Sequence, residues 1–202
     1  MNIEDFENFE EYLAKGLKEE ASRSVREFVS SLNNEEAEEW VWEYLPKLNK
    51  NRQSRIRHEL FHEVIFPVLK SGYEKEDFRS TLWLGKLSQN LYQDKSLHEK
   101  VDWVSELGFY NKAYQIEPND EVRLLLLGSI VSWLRYTEHE WPSGILYNNN
   151  GATLEQCQEI SKEVQRVLSM DKECKYSDFI NQYSKKLCQY RARLQRLRGR
   201  SS

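Results

Sequence analysis

The string His58-Glu59-Leu60-Phe61-His62 is where residue types and spacing point most directly to chemistry. Residues four apart in a helix sit one turn apart, so both imidazoles can face one zinc ion while the glutamate activates its water. That reading makes the protein a zinc-dependent hydrolase, with His58 and His62 as ligands and Glu59 as the catalytic residue. Three features weigh against it. Arg55 lies on the same stripe and would set a positive charge beside the dication. Glu63 adds a charge at the next position. No strand is evident to align a peptide substrate, and a third ligand would have to come from Glu99, Glu138, His139 or Glu140. As a solvated stripe, Arg55, Glu59 and Glu63 form helical ion pairs and need no metal.

A second candidate is acidic and aromatic. Glu35, Glu36, Glu38, Glu39 and Glu43 surround Trp40 and Trp42 within one short segment. An indole among carboxylates suits a basic protein partner, because aromatic side chains supply anchoring area and charges supply steering. Cytosolic immunity proteins that neutralise a toxin work in this manner, as do adaptors. The alternative is an ordinary surface with Trp42 buried, since tryptophan is highly buried on average. Trp141 and Tyr147 lie in a Pro-, Gly- and Asn-rich stretch, His139 to Ala152, which offers a second partner contact.

The third candidate is the basic tail, with Lys185, Lys186, Arg191, Arg193, Arg196, Arg198 and Arg200. It would bind nucleic acid with Tyr183 and Tyr190 as stacking platforms. Those tyrosines share an apolar stripe with Phe179 and Leu187, which places them in a core instead. The net charge of −4 also works against a polyanion. No Gly-rich phosphate loop, Ser/His/Asp order or Cys/His nucleophile pattern is present, so the sequence favours a protein that is not an enzyme and needs no cofactor.

The elements that must carry these residues are helices. Proline and glycine are sparse, and no stretch alternates with period two, so the fold class is all-α, with about seven or eight helices stacked as antiparallel hairpins. Phe6 to Leu32 reads as a long amphipathic helix broken near Gly16. Asn34 caps a helix running to Leu45, with Ala37, Trp40, Val41 and Tyr44 on one side and Trp42 and Leu45 on the other. Ser54 to Lys70, ended by Gly72, and Asp77 to Tyr92 follow.

Ser96 to Trp141 holds two apolar helices joined at Glu117–Asp120, the first opened by a Ser96/Glu99 capping box. Its stripes include Trp103, Leu107 and Tyr110. The second, capped by Asn119 or Asp120, is apolar nearly all round through Val122, Leu124 to Leu127 and Leu134. This hairpin is expected to be the interior that the other helices cover. Thr153 with Gln156 opens a further helix, and Ser177 to Leu197 forms the last.

Ala113, Pro118-Asn119-Asp120 and Leu127-Gly128 resemble the junction between two tetratricopeptide repeats, and Trp83-Leu84-Gly85 looks like an earlier copy of the Leu-Gly pair. The resemblance covers residues 78–136. It implies stacked helical hairpins and, by analogy, a protein-binding role.

The expected organisation is one domain over 1–202, with sub-units at 1–72 and 73–202. The amino-terminal segment has no signal-peptide pattern and no segment reads as a membrane span. Cys157, Cys174 and Cys188 are odd in number and lack metal or redox spacing, and Cys157 sits on an apolar stripe. Together these point to a reducing cytosol, and the plain composition adds the expectation of a bacterial source.

Overall fold

A computed structural model describes residues 1–48, 56–138, 144–147 and 150–198. Among the described residues the chain is all-α apart from one pair of two-residue strands, and it divides into two compact units, Met1–Glu117 and Pro118–Ser202. The turn expected to join the halves of a central hairpin is therefore where one unit ends and the next begins. Each of its helices serves the core of its own unit.

The first unit opens with α1 (Ile3–Ala14) and α2 (Lys18–Ser31), turned antiparallel at Gly16. Gly16 takes a left-handed backbone with φ +75°, which a residue without a Cβ adopts at no steric cost. Next comes α3 (Asn34–Tyr44), followed by a 3-10 turn at Leu45–Lys47 that accommodates Pro46. The cap of α3 is Asn33, one residue earlier than the sequence suggested. Its side chain accepts from the Glu36 amide, and Glu36 returns the bond to the Asn33 amide, both at 3.0 Å.

A continuous helix then runs through α4 (His58–Leu60), a π turn over Phe61–Ile65, and α5 (Phe66–Glu74). It passes through Gly72 instead of stopping there. The π turn ends two residues before Pro67, which lacks an amide hydrogen and would clash with the carbonyl four residues back in a regular helix. Asp77 caps α6 (Phe78–Lys86) by accepting from the Ser80 amide at 2.7 Å. The chain bends at Leu87 into α7 (Ser88–Gln93), so the helix expected over 77–92 is two pieces.

The helix expected from Ser96 to Glu117 is also broken. It begins as α8 (Lys95–Glu99), capped not by a Ser96/Glu99 box but by Asp94, which accepts from the Ser96 and Leu97 amides. Asp102 and Trp103 then adopt left-handed backbone (φ 53° and 57°), and α9 (Glu106–Ile116) restarts at the Ser105 cap. The turn is held by His98, whose Nε2–H donates to the Val104 carbonyl at 2.9 Å and whose ring lies between Tyr92 and Trp103. The break throws Trp103 outward, 53% exposed, so it is not part of the interior. The core of this unit gathers Phe28, Trp40, Phe61, Phe66, Leu69, Leu84, Leu91, Leu97 and Phe109.

Among the described residues, the second unit holds α10 (Asp120–Thr137), α11 (Leu154–Met170) and α12 (Ser177–Arg198). Its small hairpin pairs β1 (Leu146–Tyr147) with β2 (Asn150–Gly151). The Asn119 cap and the Thr153/Gln156 capping box form as the sequence indicates. Helix α10 is one-sided and not apolar all round: Leu126, Leu127, Ile130 and Leu134 are buried, while Leu124 is 50% exposed. Cys157 is buried, as its position on the stripe implies.

The least anticipated feature of this unit is Arg123. Its guanidinium is buried, donating to Asp120 at 2.9 Å, to the Met170 carbonyl at 2.6 Å, and to both oxygens of Glu173 at 2.8 and 3.3 Å. The arginine thereby clasps the start of α10 to the end of α11. Hydrogen bonding to Arg123 holds the Asp120 and Glu173 carboxyls below their ordinary values. A carboxyl whose folded value is depressed contributes stability above its unfolded value, and that contribution fades as pH falls through the folded one. The clasp is therefore fully stabilising above pH 4.5, the ordinary glutamate value, and weakens below it. Arg123→Met should lower the melting temperature clearly at pH 7, and the gap to the unsubstituted protein should narrow by pH 3. A gap independent of pH would show that the arginine contributes only packing.

Candidate partner-binding site

Helix α3 sorts the acidic and aromatic candidates into three groups. Trp40 belongs to the core and not to a binding surface. It is 4% exposed, stacked on Tyr44 at 4.5 Å and 13°, with Phe6 and Phe28 each 5.1 Å away. Leu45, assigned by the sequence to the opposite side, is fully buried as well. Glu36 is committed locally, to the Asn33 cap and to the amino group of Met1. Those two hydrogen bonds, the one from the amino group first, hold its carboxyl below the usual range.

Glu35, Glu39 and Glu43 remain, each exposed and spaced one turn apart along the outer face. Glu38 is exposed on the adjoining face, beside half-buried Trp42. None of these four carboxylates forms an ion pair among the described residues.

Trp42 and Glu38 line a groove of about 620 Å³ between α3 and the helices α5 and α6. Its apolar lining comes from Ala37, Val64 and Val68, and its charged rim includes Glu63, Lys75 and Arg79. The Arg79 guanidinium lies 4.2 Å over the Trp42 ring and donates to the Trp42 carbonyl at 3.3 Å. The indole thus already carries a cation on one face, the arrangement favoured by an aromatic quadrupole. This places Trp42 at a groove wall, between the buried and exposed alternatives that the sequence offered.

The histidine string has a different geometry. His58 is exposed and His62 half-buried, with ring centres 5.3 Å apart at 39°. Glu59 is drawn to Arg57, whose Nη2 lies 3.3 Å away and also donates to Ser22 on α2. Among the described residues, no three His, Cys, Asp or Glu side chains are grouped to hold a metal ion. Arg55, His139 and Glu140 lie outside the described residues.

The remaining candidates fall in the second unit. Tyr147 donates its hydroxyl to Glu159 at 2.7 Å and packs edge-on against Trp133, so much of its polar capacity is used within the unit. Trp141 and Arg200 lie outside the described residues. Tyr183 and Tyr190 are buried and cannot stack on bases. The Tyr183 hydroxyl lies 2.6 Å from that of Thr137, and burial pushes its phenol up to about 12. Tyr190 donates to the Ala152 carbonyl at 3.0 Å, fastening the small hairpin to α12. On the basic helix, Lys186 pairs with Glu138 and Arg193 covers the Tyr190 ring.

No protein family, curated protein or solved structure matches this chain. No helix among the described residues is long and apolar enough to cross a membrane.

Proposed function

We propose that the protein is a non-catalytic binding module that takes a basic protein partner on the outer face of α3, in the manner of an immunity or adaptor protein of the cytoplasm. The supporting observation is the uncompensated row Glu35, Glu39 and Glu43. Like charges four residues apart destabilise a helix by about 0.2–0.5 kcal/mol per pair, and no ion pair among the described residues offsets that. Lysine or arginine side chains on a partner would relieve the repulsion and steer the encounter. The groove beside Trp42 gives an apolar side chain of the same partner a place to anchor. Consecutive helices packed pairwise, in the style of tetratricopeptide hairpins, supply the rigid support.

The reading makes two effects run in opposite directions. Glu39→Gln with Glu43→Gln should leave the isolated protein as stable or slightly more stable, because repulsion is removed. The same double variant should bind a partner captured by the unsubstituted protein at least about tenfold more weakly, and more so at low salt. Undiminished binding by that variant, measured by titration with the captured partner, would remove α3 as the docking face.

A further inference from the structure

We propose that His58 and His62 form an open, two-ligand site for a divalent transition metal, separate from the acidic face of α3 and without the hydrolytic chemistry that their spacing first suggests. The argument is geometric. With a metal–nitrogen bond of about 2.0–2.1 Å, each imidazole centre stands roughly 3.2 Å from a shared ion, and a tetrahedral angle then separates the two centres by about 5.2 Å. The observed separation is 5.3 Å. Both residues sit one turn apart at the start of one continuous helix, which brings the two rings side by side.

The surroundings define what kind of site this is. His58 is exposed, so an ion reaches it from solvent. Because no third His, Cys, Asp or Glu is grouped with the pair among the described residues, the other coordination positions fall to water or to a group from outside. Glu59 is held by Arg57, away from the role of activating a metal-bound water. Imidazole ligands select copper, zinc and nickel over the oxygen-seeking magnesium and calcium, with copper bound most tightly. A bound ion would bridge one helical turn at the entrance to the π segment and raise the melting temperature as its concentration rises.

Calorimetric titration with zinc chloride and with copper chloride tests the site. The protein should carry Cys174→Ser and Cys188→Ser, since both of those thiols are exposed and compete for the same ions. One equivalent should bind, copper more tightly than zinc, with no response to magnesium. His58→Ala and His62→Ala should each weaken binding at least about tenfold, the least that loss of even an outer partner costs, whereas Glu59→Gln should leave it unchanged. His58 is exposed, so its variant keeps the fold, which circular dichroism verifies. One-equivalent binding that survives His58→Ala overturns the assignment. So does the absence of any heat or thermal shift at millimolar zinc.

Discussion

Trp40→Ala should cost the first unit about 3–5 kcal/mol, enough to leave it largely unfolded or close to its transition at room temperature. The indole fills the space among Phe6, Phe28 and Tyr44, and alanine would leave a void walled by three rings that cannot collapse into it together. Trp42→Ala, two residues away, should cost about 1–2 kcal/mol, because that half-buried ring loses its stacking with Arg79 and only part of a full contact with the core. Denaturant titration of the two variants gives the comparison directly. In partner binding the order reverses: Trp42→Ala should weaken the complex, while any loss in Trp40→Ala should track unfolding. Equal stability losses would mean that α3 is rotated from the arrangement described.

Gly85→Ala should be the second severe substitution, at about 1–3 kcal/mol. A Cβ at this position would stand 2.6 Å from Cε1 of Tyr110 and 3.2 Å from Cβ of Phe109, both buried side chains of α9. Neither ring has room to retreat, so α6 and α9 must move apart. Gly128→Ala makes the natural control. Nothing lies within 4 Å of its added carbon, and removing a helical glycine should stabilise α10 by up to about 1 kcal/mol. Thermal melts of the two variants should therefore shift in opposite directions. A neutral Gly85→Ala would mean that the α6–α9 approach is looser than described. The two Leu-Gly pairs, alike on paper, differ in this respect because only the first is pressed against another helix.

What could be read from the chain beforehand was mostly local. The cap at Asn119, the box at Thr153 and Gln156, the turn at Gly16 and the buried thiol at Cys157 each follow from residues adjacent in sequence, whose chemistry does not depend on distant partners. The all-α class followed from the same patterns. The break between α8 and α9 was not legible, because its left-handed residues are Asp102 and Trp103 in place of the glycines that usually mark such a turn. A helical period drawn through it placed Trp103 inside and passed over Phe109, which is fully buried. Ile65, Phe66 and Leu69 were missed for a related reason: the π turn shifts the buried stripe by a residue, and a 3.6-residue period does not follow it. For the candidate site, Ala37, Trp40, Val41 and Tyr44 were grouped on one side of α3, yet Trp40 was still counted among the partner-binding residues and Leu45 was set on the opposite side, although both are buried. The role of Arg79 was not legible, since it depends on a helix 37 residues away. Arg123 was half visible, as an arginine three residues after Asp120, but Glu173 gave no sign of being its partner.

The widened turn at Phe61–Ile65 also says something about how this helix would tolerate a change in length. It holds one residue more than a regular spiral of the same rise, so deleting a single position there would tighten the coil without shortening its reach. The angular register would hold as well, because four residues at about 100° each turn nearly as far as the five of the wider coil, so Ile56 and Leu60 would keep their faces relative to Leu69. The cost would fall on Pro67, whose ring would then meet the carbonyl four residues back.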